Sequence, residues 1–540
     1  MAHRTASLPA RASSSSSTSS SAGALVTSSV PAYAPSSASP RSHRALNNPA
    51  TPASASDASA WAALDQLLDC GPWSSQGQVK TSRSTLKYRC TAEFLPVFDD
   101  KLASTGQAPI AAVMCTAYQV QSPPGAPPRP VCFAFNGGPG SASIWLQLGA
   151  LGPKRVAIQD DGYAPAAPHQ VQDNPLTWLG TLDLVFLDPP HTGWALARDE
   201  EARKKVLSVD GDVAALAGVM RQWLSRHRRW SSPIYLAGES YGTTRGAALA
   251  DSMQASGVAL SGLILVSCAM DLQTLRFTTA NDLPYALFLP AMANTSQYHG
   301  LLKARLGASP AAARAAAEDF AQGDFLQALH LGARLSEVRR RRVAKRLSEL
   351  TGLHPDLIEQ HNLRISDQLY FFEALRAQGR IVGRLESRVT GSMGANRSRA
   401  WEFDPGIEAI SGPYAMAGQA YFAQELGIDL SAPYKLINAE VNKAWNWNRG
   451  EAQGNHFAST TPDLARAMRR NPHLKVLVAS GRYDLGTPYS ATDWSLAQLD
   501  IPTEMHTRIT HRYYDAGHMM YTRTADLKAL HHDLGAWLKA

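Results

Sequence analysis

Five residues, Gly238-Glu239-Ser240-Tyr241-Gly242, constrain this chain more than any other feature. They follow the apolar run Pro233-Ile234-Tyr235-Leu236-Ala237 and precede an Ala-rich stretch. The backbone must therefore leave a buried strand, double back within a few residues and enter a helix. A Gly-x-Ser-x-Gly turn allows this: its glycines leave room where the chain crosses itself, and the serine is held strained with its hydroxyl presented outward. Ser240 is thus a candidate nucleophile. Glu239 is an unusual neighbour for one, because a carboxylate repels developing negative charge and perturbs the titration of nearby groups.

The segments around this turn repeat its strand-then-helix grammar. Leu182 to Leu187, Leu263 to Ser267 and Val476 to Ala479 are short, nearly continuous apolar runs, each followed by a loop or helical stretch. Strands buried on both faces and alternating with helices predict a mostly parallel central sheet, an α/β fold. Earlier runs, Leu86 to Phe98, Ile110 to Val120 and Val131 to Phe135, the last two separated by the turn-forming Pro-rich segment Ser122 to Pro128, are β-rich, and these opening strands predict an antiparallel hairpin on the sheet's edge. From 271 to 465 the alternation stops. Helical stretches such as Pro310 to Leu331 and Leu335 to Leu350 dominate there, predicting a helical cap inserted over the carboxyl ends of the strands. The expected organisation is a low-complexity disordered leader over 1–56, a first core part over 57–270, the cap over 271–465 and a second core part over 466–540. The leader's Ser/Ala/Pro composition cannot bury enough apolar surface to offset the entropy of ordering. Arg4 and Arg11 precede no continuous apolar stretch, and Ala22 to Val26 is too short for a convincing export signal. The compartment is left unassigned, with a lean towards export.

Composition removes other classes. In 540 residues, 52 basic and 45 acidic side chains leave a formal charge of +7, a mild bias. The densest basic run, Arg339 to Arg342 with Lys345 and Arg346, has no interleaved aromatic residues and reads as a solvated helix face, with no nucleic-acid partner. No window reaches the roughly 18–20 apolar residues of a membrane helix, so no integral membrane segment is expected. The cysteines at 70, 90, 115, 132 and 268 show no metal spacing; Cys70 and Cys90 could bridge in an oxidising compartment, and the other three read as small core residues. Neither a metal nor another cofactor is expected.

A serine nucleophile requires a base, an orienting acid and an oxyanion hole. In this fold they come in the order serine, acid, histidine, after successive strands. Val476 to Ala479 runs through Ser480-Gly481-Arg482-Tyr483 into Asp484, and Tyr513-Tyr514-Asp515-Ala516-Gly517 leads to His518. Ser240, Asp484 and His518 are therefore the predicted triad. Asp515 stands too near His518 in sequence to reach the far ring nitrogen, and His511, His531 and His532 are rival histidines without a glycine loop to expose them. The string Asn136-Gly137-Gly138-Pro139-Gly140-Ser141, directly after Val131 to Phe135, suits an oxyanion loop, where glycines let backbone N–H groups approach a carbonyl oxygen. No Lys-Ser/Thr follows, so it is not a phosphate loop.

Together, Asn136-Gly-Gly-Pro-Gly-Ser, Asp188-Pro-Pro-His-Thr-Gly193, Gly238-Glu-Ser-Tyr-Gly242, Gly481-Arg-Tyr-Asp484 and Ala516-Gly-His518-Met resemble the serine carboxypeptidase family of the α/β-hydrolase superfamily. Asp404-Pro to Tyr414 and Tyr434 to Trp447 resemble its bacterial members. The resemblance spans roughly residues 85 to 540. It implies release of C-terminal residues from peptide substrates with a free carboxyl terminus, through an acyl-enzyme and with an acid-tolerant optimum. It implies an oxyanion hole from the N–H groups of Gly138 and Tyr241, and binding of the substrate carboxylate by Asn136, Gly137 and Glu239. A protonated Glu239 could donate to that carboxylate, so binding should weaken as pH rises. The sequence departs from better-known relatives at Ala134, where they carry tryptophan, at Ala150, where they carry a second glutamate, and at Ser141, often a cysteine. An esterase or acyltransferase on the same site is the alternative that these departures admit.

Overall fold

Continuous burial on both faces explains the central strands of the sheet. In the computed structural model, which describes residues 55–99, 108–123, 125–399, 401–450, 454 and 456–540, with side chains from residue 62, nine strands form one continuous path. They are β1 Trp73–Lys80, β2 Thr85–Val97, β3 Ala111–Val120, β4 Val131–Phe135, β5 Asp183–Asp188, β6 Ile234–Glu239, β7 Gly262–Val266, β8 Lys475–Gly481 and β9 Ile509–Tyr514. Their spatial order is β1-β2-β3-β5-β4-β6-β7-β8-β9, with the short strand Leu196–Ala197 on the flank of β3. The pairings β1–β2, β2–β3 and β3–β5 are antiparallel, and every later one is parallel. This is the expected α/β-hydrolase arrangement with an antiparallel N-terminal edge. β5 lies between β3 and β4, so the Pro-rich turn from 121 to 130 does not close a hairpin.

Side chains of period two face opposite layers of the sheet. Phe133, Phe135, Leu263, Leu265, Val476 and Val478 point to a core built with the helices α1 Val209–Arg226, α2 Tyr241–Ala255 and α3 Thr461–Arg470. Cys132, Ala134, Ile264, Val266, Leu477 and Ala479 point to the opposite core, shared with the helices Pro405–Gln424 and Thr524–Lys539. Both faces are covered, as parallel strands require.

Between β7 and β8 lie the helices Leu283–Tyr298, Pro310–Phe320, Glu337–Thr351 and Asp367–Glu373, with a small antiparallel pair, Arg380–Val382 and Thr390–Ser392. Their own core includes Phe288, Met292, Phe325, Leu347 and Tyr370. It also takes in Leu485, the residue after Asp484, so cap packing reaches the loop at the end of β8. The helix Pro405–Gln424 and α3 instead pack against the two sides of the sheet. Arg341 and Arg342 of the basic run are exposed on Glu337–Thr351, while Val343, Ala344 and Leu347 of the same helix are buried. All five cysteines are unpaired, so the conceivable Cys70–Cys90 bridge is not formed. Among the described residues, no helix is long and apolar enough to cross a membrane. Of the expected 1–56 leader, all but residues 55 and 56, which open the helix Ala55–Asp69, lie outside the described residues.

Candidate active site

The end of β6 and the start of α2 meet at Ser240, whose φ of 60° and ψ of −128° depart from both elements. For a non-glycine residue this conformation costs energy, and it holds only because the surroundings over-determine it. The Ser240 amide donates to the Val266 carbonyl oxygen of the neighbouring strand at 2.9 Å. A Cβ on Gly238 would collide with the Gly242 carbonyl group, and one on Gly242 would come within 2.8 Å of the Phe135 carbonyl oxygen. Both glycines are required by close backbone approach.

The loop after β4 lies against this elbow. A Cβ on Gly137 would strike the Tyr241 amide nitrogen and come within 2.7 Å of the Gly242 amide nitrogen. Gly138, at φ +101°, and Tyr241, the first residue of α2, donate their amides to no partner among the described residues. Gly138, Tyr241 and Ser240 line one cavity.

Asp484 and His518 converge from the ends of β8 and β9. His518 Nδ1 lies 2.7 Å from Asp484 Oδ2. The carboxylate also accepts the Gly486 amide at 2.7 Å, the Thr487 amide at 2.9 Å and the Thr487 hydroxyl at 2.8 Å. Burial, the largest single effect, would raise the Asp484 pKa and lower that of His518; the facing opposite charge and the hydrogen bonds together outweigh it and move each the other way. The pair is therefore held in its ionic sense, Asp484 as carboxylate and His518 as the more basic imidazole. Ser267 Oγ donates to the His518 carbonyl oxygen at 2.6 Å. The rivals are engaged elsewhere: His511 lies 2.9 Å from both Ser480 Oγ and Asp493, and Asp515 pairs with Arg482.

Glu239 is 2% exposed. Its Oε2 accepts the Asn136 side-chain amide at 2.9 Å and the Tyr521 hydroxyl at 2.7 Å. Burial pushes its pKa up to about 7, against the opposing pull of His518. Asn136 is held in turn, its Oδ1 accepting the Leu146 amide at 3.0 Å. Ala150 lies in the buried turn that follows, and a Cβ on its neighbour Gly149 would meet the Tyr414 hydroxyl and the Tyr521 ring. Tyrosines thus pack against the residue before Ala150, and Tyr521 is the phenolic partner of Glu239.

Several supports had no role assigned to them from the sequence. Arg245, on α2 and buried, pairs with Asp212 of α1 at 2.7 Å and donates to the Asn136 carbonyl oxygen at 2.5 Å, tying elbow to loop. Its one sequence signal is an arginine within an otherwise small and apolar helix face. Asp188 accepts the Ser143 amide at 2.8 Å and the Tyr434 hydroxyl at 2.7 Å, and burial pushes its pKa to about 6. Tyr434 to Trp447 straps the glycine loop: the Asn438 amide donates to the Gly140 carbonyl oxygen at 2.7 Å, and the Ala142 amide to that of Leu436 at 2.9 Å. In the cap, the Gly517 amide donates to Glu386 Oε2 at 2.8 Å, the His518 amide to the Leu385 carbonyl oxygen at 2.6 Å, and the Leu485 amide to that of Arg384 at 2.9 Å. Residues 384–386 therefore grip both the histidine and the aspartate loops.

The cavity at Ser240 measures about 470 Å³. A larger one of about 610 Å³ lies beside Arg314, Glu318 and Tyr489, and Ser240 is not part of its wall. Polar groups on its wall satisfy one another, as in Tyr489 to Glu318 at 2.7 Å and Tyr513 to Asp493 at 2.6 Å. It holds no nucleophile facing a base, and the smaller cavity is the candidate site.

Comparisons with known proteins converge on this region. A family model described as serine carboxypeptidase matches residues 118–286, from β3 to the first cap helix. "Serine carboxypeptidase-like 11" of Arabidopsis thaliana is 28% identical over 156 residues, covering 28% of this chain and 35% of that protein. The match thus spans about a third of the curated relative's length. Among solved structures, Kex1ΔP, a prohormone-processing carboxypeptidase from Saccharomyces cerevisiae, superposes with a TM-score of 0.53 at 14% identity, covering 84% of this chain and 91% of that one. At that identity the likeness is one of fold.

Proposed function

We propose that this chain, which matches the serine carboxypeptidase model over residues 118–286, hydrolyses the last peptide bond of substrates with a free carboxyl terminus, with Ser240 as nucleophile. His518 takes the Ser240 proton as the hydroxyl oxygen attacks the scissile carbonyl carbon, and Asp484 stabilises the imidazolium. The Gly138 and Tyr241 amides, without other partners, donate to the oxyanion; such donors are worth about 2.7–4 kcal/mol each. Collapse of the tetrahedral intermediate passes the His518 proton to the leaving amine. Water, deprotonated by His518, then attacks the acyl-enzyme and releases the shortened peptide with Ser240 restored.

The observation that carries this reading is Glu239. A carboxyl group next to the nucleophile, bonded to Asn136 and kept near neutrality by burial, suits a group that donates its proton to a carboxylate. Its Oε1 has no partner among the described residues and is the atom from which it can donate. Asn136 and the Gly137 amide complete the proposed carboxylate site. An ester or acyl acceptor without a carboxylate would gain nothing from this group.

The test is Ser240→Ala assayed with a blocked dipeptide, alongside a fluorophosphonate probe on the unaltered enzyme. The variant should lose at least about 10⁴-fold in kcat with its circular dichroism unchanged, and the probe should map to Ser240. Retained hydrolysis in the folded variant, or labelling at another residue, refutes the assignment.

A further inference from the structure

The cavity at Ser240 carries a charge pattern that acyl transfer does not use. Two guanidinium groups line it, Arg276 from the segment after β7 and Arg384 from the cap. Among the described residues neither side chain makes an ion pair or a hydrogen bond. Arg276 sits 5.8 Å over the Trp447 ring, a contact that leaves its N–H edge available. Arg384 stands against the loop that follows Asp484: a Cβ on Gly486 would stand 3.4 Å from its guanidinium carbon. Aromatic and apolar walls, including Phe288, Phe371 and Trp401, enclose the same space.

Among the described residues, the acidic groups nearby form no ion pair with the two guanidinium groups. Asp404 directs its oxygens to the backbone amides of Arg384, Leu385 and Gly406 at 2.9–3.2 Å. Asp367 also lines the cavity, its Oδ1 accepting the Gln368 amide at 2.7 Å, and it forms no ion pair with either arginine. Of the residues lining the cavity two are cations and one is an anion, with Asp404 within electrostatic reach of Arg384 behind it.

Position says which part of a substrate meets this wall. Ser240, Gly138 and Tyr241 line the cavity, whereas Asn136 and Glu239 do not. A group entering it therefore hangs from the carbonyl that Ser240 attacks, on the side away from the leaving residue. From the unpaired Arg276 and Arg384 at this place we infer that the enzyme selects substrates with an acidic side chain, glutamate or aspartate, on the residue before the scissile bond. This rests on the carboxypeptidase reading for which side is which, and it names the substrate class of that same site.

The experiment measures kcat/KM for two series, benzyloxycarbonyl-X-Phe and the p-nitrophenyl esters of benzyloxycarbonyl-X, with X as Glu, Gln, Leu or Lys. The full chain is compared with Arg276→Gln, Arg384→Gln and the double variant, each checked for folding by circular dichroism. Glu should exceed Gln by about 10-fold or more, since hydrogen bonds between charged groups are the strong ones, and 0.5 M salt should shrink the margin. In the double variant the Glu to Gln ratio should fall towards one; if that variant does not fold, each single variant should lower it. Gln equal to Glu in the unaltered enzyme, a preference for Lys governed by Asp367, or a ratio unmoved by the substitutions overturns the inference. Cleavage of esters without dipeptides would refute the carboxypeptidase reading while the ester ratio still decides this one. Cleavage of neither series overturns both.

Discussion

Replacing Glu239 by glutamine removes a titrating proton while preserving a hydrogen-bond donor, and the consequences follow from where that proton resides. The Glu239 pKa is near 7, against an ordinary value of 4.5. In the unaltered enzyme the fraction able to donate to a substrate carboxylate is about one half at pH 7, about one in eleven at pH 8 and about one in a hundred at pH 9. Its kcat/KM for a blocked dipeptide should therefore decline about tenfold per pH unit above pH 8, chiefly through KM. The Glu239→Gln variant donates at every pH and should lack this decline. The variant's bell thus widens on its basic side. Stability gives a second reading of the same proton. A carboxyl group whose pKa rises on folding stabilises the native state fully below its unfolded value, and this is lost as pH climbs through the folded one. Between pH 4.5 and about 7 the loss amounts to about 3 kcal/mol, which Glu239→Gln should abolish in urea titrations at pH 5 and 8. An unaltered basic limb in the variant would refute the claim that Glu239 is the titrating group.

The supports of the site give two further expectations. Tyr521→Phe removes the phenol that stabilises ionised Glu239, so the alkaline decline of kcat/KM should move up by about one pH unit; an unmoved decline would show that Tyr521 does not govern that proton. Glu386→Ala frees the Gly517 amide beside His518 and should lower kcat about 10- to 100-fold with little change in KM, with partial recovery in Glu386→Gln, whose side-chain oxygen can still accept that amide. Equal kcat in all three would remove Glu386 as a positioning residue.

What was legible in the sequence follows from where the backbone itself is constrained. Gly238 and Gly242 are required by close backbone approach, so the elbow announces itself in five residues, and apolar runs such as Leu263 to Ser267 declare a sheet buried on both faces. The meeting of Asp484 with His518 could be anticipated because each follows a strand and enters a loop. The rest depends on contacts that no local pattern encodes. Tyr521 reaches Glu239 across 282 residues and reads, in sequence, as one more aromatic beside the C-terminal helix. Arg245 and Asp212 lie 33 residues apart and meet only because α2 packs on α1. Glu386 belongs to a cap whose helical pattern tells nothing of the loops it grips. The place of β5 between β3 and β4 was hidden too, since the intervening Pro-rich turn suggests adjacent strands.

Recognition of a free carboxyl terminus by a site that holds Glu239 neutral is tested most directly by one comparison. It is kcat/KM at pH 6 for a blocked dipeptide against the same dipeptide with its C-terminal carboxylate converted to an amide. Loss of charged hydrogen bonds at Glu239 and Asn136 should cost the amide about 100-fold or more. Equal hydrolysis of acid and amide, or preference for the amide, would contradict it.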